Sequence, residues 1–75
     1  MSKVPILSGR EIIKILTQTG FVEVRQKGSH VILKKQSLAG HIGCVVPLHK
    51  QVAIGTLRGI LKQANLSQEE FILLM

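Results

Sequence analysis

Two hydrophobic periods meet at Gly20, and that meeting most limits what these 75 residues can fold into. Upstream, in "LSGREIIKILTQTGF", Ile12, Ile13 and Leu16 recur at helical spacing while Arg10, Lys14 and Gln18 point elsewhere. Downstream, "FVEVRQK" alternates apolar and polar residues, the period of a half-buried strand. The spacing predicts a helix that stops at Gly20, which serves as its C-terminal cap residue, followed at once by a strand. Ser8 is a suitable N-cap, Glu11 three residues on completes a capping box, and Leu7 with Ile12 forms a hydrophobic staple.

The strand pattern repeats twice. Val22 and Val24 fall on one face, with Glu23, Arg25 and Lys27 on the other. Gly28 supplies a turn, and "SHVILKK" continues with Val31 and Leu33 on one face against His30, Ile32 and Lys34. If Val31 and Leu33 join Val22 and Val24 on the core, His30 lies on the open face beside Arg25 or Lys27. "QSLAGHIG" reads as a polar, glycine-punctuated loop. "HIGCVVP" is a third strand, with Ile42, Cys44 and Val46 on one side and Pro47 closing it.

"LHKQVAIG" connects to a helix, "TLRGILKQAN", that aligns Leu57, Ile60, Leu61 and Ala64 and ends at Asn65. A last turn starts at Ser67, is boxed by Glu70, and carries Phe71, Ile72 and Leu74. The expectation is an α+β fold in a single domain over residues 1–75. Its order is α-β-β-β-α, with a three-stranded antiparallel sheet and both helices on one face. At this length roughly 60–65% of the unfolded surface can be buried. Ile, Leu and Val must fill the core, because the chain has two Phe and no Trp or Tyr.

Charge narrows the partners. Ten Lys and Arg stand against four Glu, a net charge of +6, which draws polyanions, nucleic acid first among them. Arg25, Lys27, Lys34, Lys35 and Lys50 form a candidate phosphate-binding patch. Base-stacking aromatics are missing from it, which favours recognition of backbone or shape. Arg10, Lys14, Arg58 and Lys62 read as ordinary solubility charges. One cysteine excludes an internal disulfide and fits a reducing compartment, so the chain reads as soluble and cytoplasmic. No apolar run reaches the 18 or more residues of a membrane helix, and no signal-peptide pattern opens the chain.

Of the chemistry-bearing side chains, His30 stands out. An imidazole transfers protons near neutrality without a metal, and neighbouring cations could hold the phosphate of an RNA. The competing reading is a plain surface histidine on a strand. His41 reads as solvated in its loop and His49 as flanking a phosphate site. With His30 and Cys44 they show no metal-ligand spacing, so no metal or other cofactor is implied. Cys44, in the apolar run "IGCVV", reads as a buried core residue rather than a nucleophile.

"LSGREIIKILTQTGF", "VRQKGSHVILKK", "VVPLHK" and "GTLRGILKQANLSQEEF", in that order and spacing, resemble the HicA toxin family over about residues 3–74. The resemblance implies a compact domain similar to double-stranded-RNA-binding domains. It also implies a messenger-RNA interferase, a toxin that cleaves RNA and inhibits translation and that is neutralised by a HicB antitoxin. The family's active histidine falls on His30, after Gly28 and Ser29. Gly28 would allow tight approach, and Ser29 would orient the histidine or a phosphate. Arg25, Lys27 or Lys34 would steady the phosphorane formed when a 2′-hydroxyl attacks. "PLH" matches the family's proline-x-histidine step without bringing a catalytic role to His49. The alternative reading is a non-catalytic RNA-binding module of the same fold.

Overall fold

Ser8 starts the first helix, α1 (Gly9–Thr17), as a local chemical event. In the computed structural model, which describes residues 6–75, the Glu11 N–H donates to the Ser8 hydroxyl at 3.1 Å. The Ser8 N–H donates back to the Glu11 carboxylate at 2.9 Å. That backbone donor, and then the hydroxyl, hold the Glu11 carboxyl below its ordinary pKa. Residues 1–5, the start of the expected domain, lie outside the described part. The C-cap is Gln18, and Gly20 lies two residues further on with φ +103°.

Three strands follow: β1 (Val22–Lys27), β2 (His30–Ser37) and β3 (Gly40–Pro47), antiparallel in the order β1-β2-β3. Then come α2 (Ile54–Gln63) and a short α3 (Gln68–Leu73). The expected α-β-β-β-α order is therefore observed, with the last turn drawn out into a third helix. Helix α2 opens two residues before Thr56, on an Ala53 N-cap that makes no side-chain bond. It closes in a Schellman motif, in which Asn65 takes φ +55° and the Leu66 N–H reaches the Leu61 carbonyl at 3.0 Å. Ser67 and Glu70 form a second capping box over α3.

One face of the sheet carries the core. Val31, Leu33, Cys44 and Val46 are buried against Ile12, Ile13, Ile15 and Leu16 of α1, Leu57, Ile60 and Leu61 of α2, and Phe71 of α3. No helix among the described residues is long and apolar enough to cross a membrane. Of the expected last-turn residues only Phe71 is fully buried, since Ile72 is exposed and Leu74 half-buried. Helix α1 sits close on β3. A Cβ at Gly9 would collide with the Pro47 carbonyl, so only glycine fits that approach.

Two sequence expectations fail in the sheet, one on β1 and one between β2 and β3. Val22 and Val24 are exposed, and no residue of β1 is buried. The cause is a β-bulge. Glu23 pairs with Leu33 and Arg25 with Ile32, so Val24 is the extra residue and the face alternation resets there. Val22, paired with Lys34, lies on the open side, whereas Glu23 leans to the helix side and meets Arg10 of α1 at 3.4 Å. Arg10 is thus an ion-pair partner rather than a free charge. The expected loop "QSLAGHIG" is mostly strand, with a turn of only Leu38 and Ala39, and this places His41 in β3.

Candidate active site

The two-residue turn Gly28–Ser29 links Lys27 to its cross-strand partner His30. Gly28 has φ +60° and Ser29 does not share a positive φ, the pattern of a type II′ hairpin turn, whose first central position demands glycine. Gln26 Nε2 donates to the Gly28 carbonyl at 3.1 Å, and the Leu48 N–H donates to the Ser29 carbonyl at 2.7 Å. The turn is therefore tied on both flanks, and with it the start of β2.

From that start the register lays out the open face in rows. Lys27, His30 and Pro47 form the first row, Arg25, Ile32 and Val45 the second, and Val22, Lys34 and Gly43 the third. Rows lie about 6.7 Å apart, two residues along a strand. His30 is exposed, with exposed Lys27 on one side and buried Pro47 on the other. Val31 and Leu33, both fully buried, force His30, Ile32 and Lys34 outward by alternation alone.

Of the residues expected to form the site, Gly28, Ser29, His30, Arg25, Lys27 and Lys34 share this face or the turn at its end. All the Lys and Arg side chains of the face come from β1 and β2, because β3 contributes Pro47, Val45, Gly43 and, at its far end, His41. The fixed positive charge of the face therefore lies on β1 and along β2, away from β3. Lys35 does not belong to the patch. It pairs with Ile42 on the helix side, and its Nζ stands 5.7 Å from the centre of the Phe21 ring. Lys50 is exposed in the connection after β3.

The remaining candidates sit elsewhere. Cys44 is 2% exposed, and burial pushes its thiol up to about 11, so it is an inert core thiol. His41 opposes Gln36, six residues along β2 from His30, on the order of 20 Å away. Among the described residues no three His, Cys, Asp or Glu side chains converge as metal ligands would. His49 is exposed just beyond Pro47, and its carbonyl accepts from the Gly9 N–H at 2.9 Å. Its nearness to the hairpin is hidden in the sequence, where Pro47 reads as the end of pairing.

A family model described as the HicA toxin of bacterial toxin–antitoxin systems matches residues 9–66, from the start of α1 to the second residue after the α2 C-cap. The chain belongs to the HicA toxin family. No curated protein matches it. The matched HicA segment contains all three strands, the Gly28–Ser29 turn, His30 and the Pro47–His49 step.

Proposed function

We propose that this HicA-family toxin is an endoribonuclease that cleaves messenger RNA without a metal ion and so inhibits translation. What supports the reading is one arrangement: an exposed histidine at the hydrogen-bonded start of β2, with Lys27, Arg25 and Lys34 on the same open face. His30 accepts the proton of a ribose 2′-hydroxyl, and the freed oxygen attacks the adjacent phosphorus. Lys27, Arg25 and Lys34 bind the neighbouring phosphates and offset the charge that develops on the phosphorane. Gly28 and Ser29 hold the strand start that aims the imidazole.

The expected partner is a HicB-type antitoxin that covers His30 and the basic face with acidic groups, blocking chemistry and phosphate binding together. The test is incubation of a long RNA with the protein in EDTA, beside His30→Ala. Cleavage by the parent alone is the expected outcome. Uncut RNA that stays bound to the parent would instead make the chain a binding module. A DNA copy should survive in either case, since it lacks the attacking hydroxyl.

A further inference from the structure

The ladder between β2 and β3 runs past the ends of both strands. His30 pairs with Pro47, and the next pair, Ser29 and Leu48, is joined by the 2.7 Å bond from the Leu48 N–H to the Ser29 carbonyl. Pro47 is buried as well as Val46, but Leu48 packs against the core and His49 is exposed, so continuing the step of β3 puts His49 on the open side with His30. The outer edge of the same stretch is pinned by α1, because Gly9 lies against the Pro47 carbonyl and donates to the His49 carbonyl at 2.9 Å.

Carried past Pro47 by the Leu48–Ser29 bond, the same step sets His49 diagonal to His30 on one face, at the roughly 7–8 Å between Cα atoms that such a diagonal spans. At Gly28, two residues before His30, a Cβ would meet nothing within 4 Å. The space at the turn beside His30 is therefore open. It suits a phosphate flanked by two rings, each roughly 3 Å from a different oxygen.

We propose that His49 is a second catalytic residue, the general acid that protonates the departing oxygen; this rests on the ribonuclease reading of His30. His30 takes the 2′-hydroxyl proton and the 2′-oxygen bonds to phosphorus. The P–O5′ bond breaks, and the 5′-oxygen takes a proton from the His49 imidazolium. The products are a 2′,3′-cyclic phosphate and a 5′-hydroxyl, and exchange with solvent resets both rings.

The test uses an RNA whose cleavage position in the parent protein is mapped first. That RNA is then made again with sulfur replacing the 5′-bridging oxygen, since a thiolate leaves without a proton. His49→Ala is expected to lose on the order of 100-fold or more on the oxygen substrate. On the sulfur substrate it should stay within a few-fold of the parent, whereas His30→Ala fails on both. His49→Gln, which keeps a polar side chain but no transferable proton, should behave like His49→Ala. Equal losses on the two substrates would make His49 a phosphate-binding residue and overturn the assignment, as would full activity on the oxygen substrate. If the parent cuts neither RNA, the ribonuclease reading falls and this one with it.

Discussion

The two faces of the sheet come from the same three strands, yet they are under opposite demands. On the helix side, Val31, Leu33, Cys44 and Val46 are 0–2% exposed and fill a core with residues of all three helices. On the open side the same strands present His30, Lys34, Arg25 and Lys27, all exposed. A β2 residue on one face therefore has its neighbour on the other, and the core residue determines where its functional neighbour points. Stability and chemistry are separable here at single-residue resolution. Substitutions on the first face should cost fold stability, and those on the second should cost activity or binding alone.

The largest effect expected is on the covered face. Leu33→Ala removes a fully buried side chain and should lower unfolding free energy by about 2–5 kcal/mol, read by urea denaturation. A loss below about 1 kcal/mol would show that the helices do not hold this face as a packed core.

A second expectation on the same face concerns pH. Burial raises the Cys44 thiol from an ordinary 9.0 to about 11. The folded chain therefore binds that proton more tightly than the unfolded chain does. Its contribution is fully present below pH 9 and is lost as pH rises through 11, a fall of about 3 kcal/mol. Thermal unfolding from pH 8 to 11 should show a steeper decline for the parent than for Cys44→Ala. Parallel curves would mean that water reaches this strand from the core side.

How far these faces could be read in the sequence depends on how local their causes are. Both capping boxes, Ser8 with Glu11 and Ser67 with Glu70, are contacts over three residues, and both appear as expected. The outward direction of His30 was legible too, since the burial of Val31 and Leu33 is enough to set it. The faces of Val22 and Val24 were not. The bulge at Val24 exists only in relation to the partner strand, and a period-two pattern in β1 carries no trace of it. The same reasoning covers Lys35, whose side of the sheet follows from the register with Ile42 rather than from its charge. The ladder beyond Pro47 was hidden because a proline reads as the close of a strand, whereas here the Leu48 N–H still reaches Ser29.

The turn at the end of the open face gives an intermediate effect. Gly28 holds φ +60° in open space, so an added Cβ meets backbone strain but no neighbour. Gly28→Ala should cost about 1–2 kcal/mol in unfolding free energy. The proposed cleavage activity should fall further than that loss of folded protein explains, because in that reading the turn aims His30. A proportionate fall would reduce the turn to a structural element.

The smallest stability effects, and the sharpest test of the comparison, belong to the cations. Arg25→Gln, Lys27→Gln and Lys34→Gln lie on exposed strand positions without ion-pair partners among the described residues. Each should change stability by no more than about 0.5 kcal/mol. Under the proposed function each also removes one phosphate-binding charge, so the slope of log affinity for single-stranded RNA against log salt should shrink by about 0.7. Lys35→Gln, one residue from Lys34 but on the helix side over Phe21, should leave that slope unchanged. Charge alone would treat Lys34 and Lys35 alike, so a slope that drops equally for both would mean that RNA senses net charge and not the open face. A drop for Lys34 alone would place the strand alternation, rather than composition, in control of where the polyanion sits.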